Sequence, residues 1–152
     1  MTQEMDLKMD LQMFADSTDT NTEFLKNNKL TTALYRKLLA QAVGETGTIS
    51  KITQMAFGDA GETDEQGNPA PPKETGDLNN VVITKDLDSI SFSADNVVVF
   101  QATLEAGEAK ATNINEIALI DEAGETAAKI RLLTAKGVDG ETSLVFKWSL
   151  EF

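Results

Sequence analysis

The chain contains no cysteine and no histidine among its 152 residues. The first absence excludes disulfides, thiolate metal sites and thiol nucleophiles. The second removes the commonest general base and the commonest transition-metal ligand. Basic residues are also scarce: 13 Lys and Arg stand against 25 Asp and Glu, for a net charge of −12. Nucleic-acid binding rests on clustered cations that release counterions, so a phosphate backbone would repel this chain. An anionic membrane surface would repel it too, and neither nucleic acid nor membrane is an expected partner. No run approaches the roughly 20 apolar residues of a membrane span. The N-terminus lacks the cationic start and apolar core of a signal peptide. Proline is confined to Pro69, Pro71 and Pro72.

What is present suits a folded domain. Hydrophobic residues at 41% and charged residues at 25% argue against overall disorder. A domain of this length buries roughly two-thirds of its unfolded surface, enough to fold without disulfides. Acidity favours solubility and offers a match to a basic protein surface.

The organisation changes near residue 30. Residues 1–29 read as an extended arm and linker, and residues 30–152 as one α+β domain. In the arm, Met5, Leu7, Met9, Leu11 and Met13 alternate with Asp6, Lys8, Asp10 and Gln12, the period of a half-buried extended segment. The run has no sequence neighbour to pair with, so a partner's surface is expected to cover it, with a self-packed strand as the other reading. Asp16 to Glu23 is polar and Thr-rich, a linker. Leu30, Leu34 and Leu38 then recur at helical spacing, with Tyr35, Leu39 and Ala42 beside them, so that one face of the helix is apolar. Thr31 or Thr32 can cap that helix, and Gly44 or Gly47 can end it.

Strands are expected at Ser50 to Phe57, Asn80 to Thr84, Val97 to Glu105, Ile114 to Ile120, Ala127 to Thr134 and Leu144 to Phe152. The Ile114 run is apolar on both faces apart from Asn115 and Glu116 and should be central. In the last strand Leu144, Phe146, Trp148, Leu150 and Phe152 face one way, with Val145, Lys147, Ser149 and Glu151 opposite. The acidic, glycine-bearing segments 121–124 and 137–140 suit hairpin turns. The Gly58 to Asp77 stretch, with its prolines, is a loop long enough to suggest function or ordering on assembly. The expected fold is thus one amphipathic helix on a mainly antiparallel sheet or small β-sandwich.

Two stretches resemble the N-terminal attachment domain of tail-collar fibre proteins from contractile-tailed bacteriophages. The first is Ile52-Thr53-Gln54-Met55-Ala56-Phe57-Gly58-Asp59, preceded by the Leu34 to Val43 helix. The second is Ile117-Ala118-Leu119-Ile120-Asp121-Glu122-Ala123-Gly124, with Glu116 where the family places a glutamate two residues before a glycine or alanine. Between them, Pro69 to Leu78 is similar to the family's proline-bearing loop. The order of these features is more specific than any one of them. Members usually continue into a shaft and receptor-binding tip, which this sequence lacks after the module. Asp10-Leu11-Gln12-Met13-Phe14-Ala15 is similar to the opening of many capsid and structural proteins in phages of low-GC Gram-positive bacteria.

Paired carboxylates could serve acid–base chemistry, but a working pair needs burial to separate its pKa values. Asp59, Glu62, Asp64 and Glu65 lie in a hydrophilic loop that does not provide it. Their spacing does not match the twelve-residue calcium loop either. Glu116 interrupts an apolar strand and needs a partner if buried; Arg131, on the neighbouring strand, is the candidate for a structural ion pair. No phosphate-cradling glycine motif or activated nucleophile is evident, so neither enzyme activity nor a cofactor is expected.

The resemblance implies a non-enzymatic virion structural protein, assembled in the host cytoplasm. The favoured expectation is a capsid decoration (cement) protein that grips the major capsid protein with Met5, Leu7, Met9, Leu11, Met13 and Phe14. Loop residues Asp59, Asp64, Pro69, Pro71 and Pro72 would supply a second contact. The alternative is a tail or baseplate adaptor that joins a separately encoded fibre and, like fibres of the family, forms a homotrimer.

Overall fold

Alternation of apolar and polar residues runs through most of this chain, and most of it is accordingly strand. The computed structural model describes residues 2–10, 27–44 and 47–152. In order come β1 (Thr2–Asp10), β2 (Lys29–Thr31), helix α1 (Ala33–Val43), β3 (Ile52–Gly58), β4 (Val81–Asp86), β5 (Ser89–Ala94), β6 (Val97–Leu104), β7 (Asn113–Asp121), β8 (Thr126–Gly137) and β9 (Ser143–Glu151). They form two sheets, ordered β1-β9-β6-β5 and β2-β8-β7-β3-β4. Among the described residues, helix α1 and two mainly antiparallel sheets make a roughly α+β architecture in sandwich form.

The inward faces share one core. From the first sheet come Phe100, Ala102, Leu104, Leu144, Phe146, Trp148 and Leu150; from the second, Met55, Phe57, Ile117, Leu119, Ala128 and Ile130. Phe57 and Phe146 meet across the layers with ring centroids 4.6 Å apart in a tilted arrangement, a geometry that favours aromatic pairs. Strand β9 follows its sequence pattern, with one exception. Phe152 is 50% exposed, although its backbone N–H donates to the Asn96 carbonyl at 3.0 Å. The terminus is held by its backbone, while the final side chain runs past the core.

Thr2–Asp10 does not stand out as an arm. It pairs in parallel with β9, placing Met5 opposite Phe146 and Leu7 opposite Trp148. Leu7 is buried and Met5 packs against the same core. A parallel pair needs no connecting turn, so the partner lies at the other end of the sequence. Met9 lies in the same strand, opposite Leu150. Leu11, Met13 and Phe14 fall outside the described residues, as does most of the expected linker.

The helix buries only part of its expected face, the part that carries Tyr35 and Leu39. Leu30 belongs to β2, Leu34 is 41% exposed, and Tyr35 is the buried residue, with Leu39 packed on the core. The cause is the cap. The Thr32 hydroxyl accepts from the Tyr35 N–H at 3.2 Å and donates to the Thr126 carbonyl at 2.6 Å. That clamp turns the 35/39 ridge toward β8. Gly44 ends the helix, its N–H donating to the Ala40 carbonyl at 3.0 Å.

Of the two expected hairpins, only the first is one. Residues 121–124 join the paired strands β7 and β8, with Gly124 at φ 84°. Residues 137–140 carry the chain from one sheet to the other, since β8 and β9 belong to different sheets.

Candidate functional site

The second sheet has an outer face, and the 59–80 loop lies across it. On this face β7 presents Glu116 and Ala118 opposite Arg131 and Lys129 of β8. All four are buried. Alternation assigns Lys129 and Arg131 to solvent, but the loop covers them.

Each charge is met chiefly by backbone. The Glu116 carboxylate accepts the N–H groups of Asn80 at 3.0 Å and Asn79 at 3.2 Å. The Arg131 guanidinium donates to the carbonyls of Leu132 at 2.7 Å, Glu62 at 2.9 Å and Asn115 at 3.3 Å. Lys129 Nζ donates to the Thr75 carbonyl at 2.9 Å. Burial pushes both cations below their ordinary pKa values. The nearby carboxylates oppose that shift: Glu116 and Glu62 for Arg131, and Asp77, Glu116 and Glu62 for Lys129.

This corrects the expected ion pair. Glu116 and Arg131 are cross-strand neighbours of opposite charge, yet they are not among the salt bridges, within 4.0 Å, of the described residues. Backbone of the loop at Asn79, Asn80 and Glu62, with the Leu132 and Asn115 carbonyls of the sheet itself, occupies their hydrogen-bonding positions. Buried polar atoms bind whichever partner satisfies them with good geometry, and here that is the main chain.

The close approach depends on two glycines. A Cβ at Gly58 would lie 2.5 Å from the Asn80 carbonyl oxygen and 2.6 Å from Glu116 Oε1. One at Gly61 would lie 2.6 Å from Arg131 Nε and collide with its Cδ. The Gly61 N–H is further held by Asn115 Oδ1 at 2.8 Å. Asn79 and Asn80 stitch the loop ends, Asn79 Nδ2 to the Ala60 carbonyl at 2.8 Å and Asn80 Nδ2 to Asp59 Oδ1 at 2.6 Å. Beside this, Leu78 fills a small apolar cluster with Ala56 and Ala118.

The loop has its own internal order. Asp64 Oδ1 accepts the N–H groups of Asn68 at 2.8 Å and Gln66 at 2.9 Å, which holds the Asp64 carboxyl below its ordinary value. Thr63 and Pro69 form a bridge across the turn. Pro69 and Pro72 are half-buried, while Pro71, Asp59 and Asp64 are exposed. At the far side the Ala33 N–H donates to the Glu74 carbonyl at 3.0 Å, and Arg36 pairs with the Glu74 carboxylate at 2.6 Å. The loop thereby ties sheet to helix.

The space left beneath it, lined by Glu62, Pro72, Asp77, Glu116, Lys129 and Arg131 among others, is about 10 Å³, room for at most one water. Among the described residues no group of three or more acids is arranged to hold a metal ion. Nor is any helix among them long and apolar enough to cross a membrane. The arrangement can lock a loop and present its crest.

The sequence pointed to Glu116, Arg131 and the loop residues, and the first two do lie together under that loop. It did not single out Lys129, Gly58, Gly61, Asn79 or Asn80. The available signal was the pair of glycines three apart at the loop's entrance. No known family matches this chain, and no curated protein matches its sequence significantly.

Proposed function

We propose that this chain is a non-enzymatic structural protein of a tailed-phage virion, a capsid decoration protein built on a tail-fibre attachment module. One observation carries the reading. The two stretches behind the family resemblance lie side by side, with Phe57 opposite Ile117 and Gly58 opposite Glu116. Together they fasten the proline-bearing loop that separates them in sequence. An attachment module needs such a part: a rigid surface feature whose geometry is fixed before the partner arrives, so that little ordering entropy is lost on docking. The exposed Asp59, Asp64 and Pro71 would meet the capsid, the acids facing basic residues there.

A second reading is favoured by β1. Because Met5 and Leu7 are engaged in the protein's own sheet, they are not free to grip a capsid subunit. A tail or baseplate adaptor, which attaches a separately encoded fibre and trimerises, has no need of that arm. Cryo-electron microscopy of the purified parent virion tests both. Density on the shell supports decoration, density at the collar or tail tip supports the adaptor, and absence from the particle rejects both.

A further inference from the structure

Among the described residues four strands lie at sheet edges: β1 and β5 in one sheet, β2 and β4 in the other. An open edge pairs with foreign strands unless it is short, charged or bent away. Three of the four are so protected. Strand β1 carries Glu4 and Asp6, β4 carries Lys85 and Asp86, and β2 spans only three residues. Strand β5, Ser89-Ile90-Ser91-Phe92-Ser93-Ala94, has no charge and no proline, and all six residues are exposed; its register against β6 shifts only at its end, between Phe92 and Ala94.

Its apolar side chains stand on the core side of the sheet, without a cover. Ile90 lies opposite Phe100 and Phe92 opposite Val98, and those residues pair in turn with Trp148 and Leu150. Phe100 and Trp148 are buried, yet Ile90 is 49% and Phe92 73% exposed. The facing sheet ends at β4, which packs against β6. The core face therefore continues one strand beyond its roof.

Acids flank this edge at both ends. From Asp86 to Ala109 the sequence contains no lysine or arginine but has Asp86, Asp88, Asp95, Glu105 and Glu108. Glu108 is paired with Lys85 at 2.7 Å. Asp86, Asp88 and Asp95 are exposed at the two ends of β5, and none of them forms a salt bridge among the described residues.

We infer that β5 is a docking edge that accepts an extended segment of a basic partner protein. The segment adds a strand to the sheet, places alternate apolar side chains over Ile90 and Phe92, and sets lysines or arginines against Asp86, Asp88 and Asp95. Main-chain pairing supplies affinity and the apolar and charged positions supply selection, as in other strand-addition complexes. A second copy of this chain is the wrong occupant, because it would bring the same acids against their equivalents at a net charge of −12. The inference stands on β5 and does not depend on the virion reading.

The test uses the isotope-labelled full chain and a short peptide alternating valine with threonine between paired lysines, followed by NMR. A peptide with glutamates in place of the lysines is the control. The expected result is saturable shifts centred on the Ser89–Ala94 amides, with the lysine peptide at least about tenfold tighter than the glutamate one. Phe92→Lys and Ser91→Lys, each placing charge on an exposed position, should both weaken binding about tenfold or more. Thr84→Lys, on the β4 edge, should not. Absence of saturation at millimolar peptide, equal affinity for the two peptides, or indifference to both β5 variants would overturn the proposal. So would a wild-type dimer in sedimentation that Phe92→Lys dissolves, which would assign the edge to a second copy.

Discussion

Beneath the 59–80 loop, Glu116, Lys129 and Arg131 are buried; along β5, Ile90 and Phe92 are exposed. The two regions depart from ordinary burial in opposite directions. What separates them is satisfaction. The buried charges have their hydrogen bonds, from Asn79, Asn80, Glu62, Leu132 and Thr75, so that region is closed and its chemistry is spent on holding the loop. The exposed apolar residues of β5 have no cover, so that region retains free energy to release on contact. A buried charge read alone suggests function, and an exposed apolar side chain read alone means little. In this molecule the neighbours reverse both readings.

The largest effect should come from breaking the closed region at its centre. Glu116→Ala leaves the Asn79 and Asn80 amides without their acceptor and Arg131 without its opposing charge. Removing one member of a buried, hydrogen-bonded charge group costs about 3–5 kcal/mol, to be read as a lowered denaturation midpoint. Gly61→Ala should follow at about 1–3 kcal/mol, the usual range for forcing extra atoms into a filled site. Its signature is local: amide exchange should quicken across residues 59–80 while β6 and β9 keep their protection. Uniform loss of protection would mean that the loop is not the element Gly61 holds down.

Much of the fold was legible in the sequence because plain physical patterns mark its clearest strands, alternation in β6 and β9 and two apolar faces in β7. Strand β9 buries Leu144, Phe146, Trp148 and Leu150 as its pattern requires, and β7 is central because both its faces are apolar. Alternation sets Lys129 and Arg131 on the face opposite Ile130, and the 59–80 loop buries that face. Alternation records which residues share a face, but not what later folds over that face. The partner of β1 was hidden because a parallel pair between the two ends of the chain leaves no turn to read. Strand β5 was passed over since three serines between small apolar runs look like a loop. At the site, the carboxylate was recognisable by its apolar setting, while the backbone groups that bind it have no sequence signature beyond Gly58 and Gly61.

A smaller effect tests the loop from its crest. The Asp64 carboxyl is held below its ordinary value of 3.8 first by the Asn68 N–H, and Asp139 is held down in the same way by the Glu141 and Thr142 N–H groups. A depressed acid contributes stability that is whole above its unfolded pKa and is lost as pH falls through the folded one. Asp64→Asn keeps an acceptor but removes the charge. Thermal melts of the two proteins should therefore differ most near neutrality and converge as pH falls through the lowered folded-state value. A constant gap across that range would show that the charge of Asp64 is not what orders the turn.

The smallest effect on stability belongs to β5, and its smallness is the point. Phe92→Ser removes an aromatic ring that is 73% exposed, so folding stability should change by no more than about 0.5 kcal/mol, as for ordinary surface positions. The same exchange at Phe57, fully buried against Phe146, would cost about 3–5 kcal/mol. If Phe92→Ser proves comparably damaging, the ring is covered in solution and β5 belongs with the closed region. If it is neutral, the ring contributes nothing to the isolated fold, and an exposed phenylalanine on an uncharged edge is left with work only in a complex.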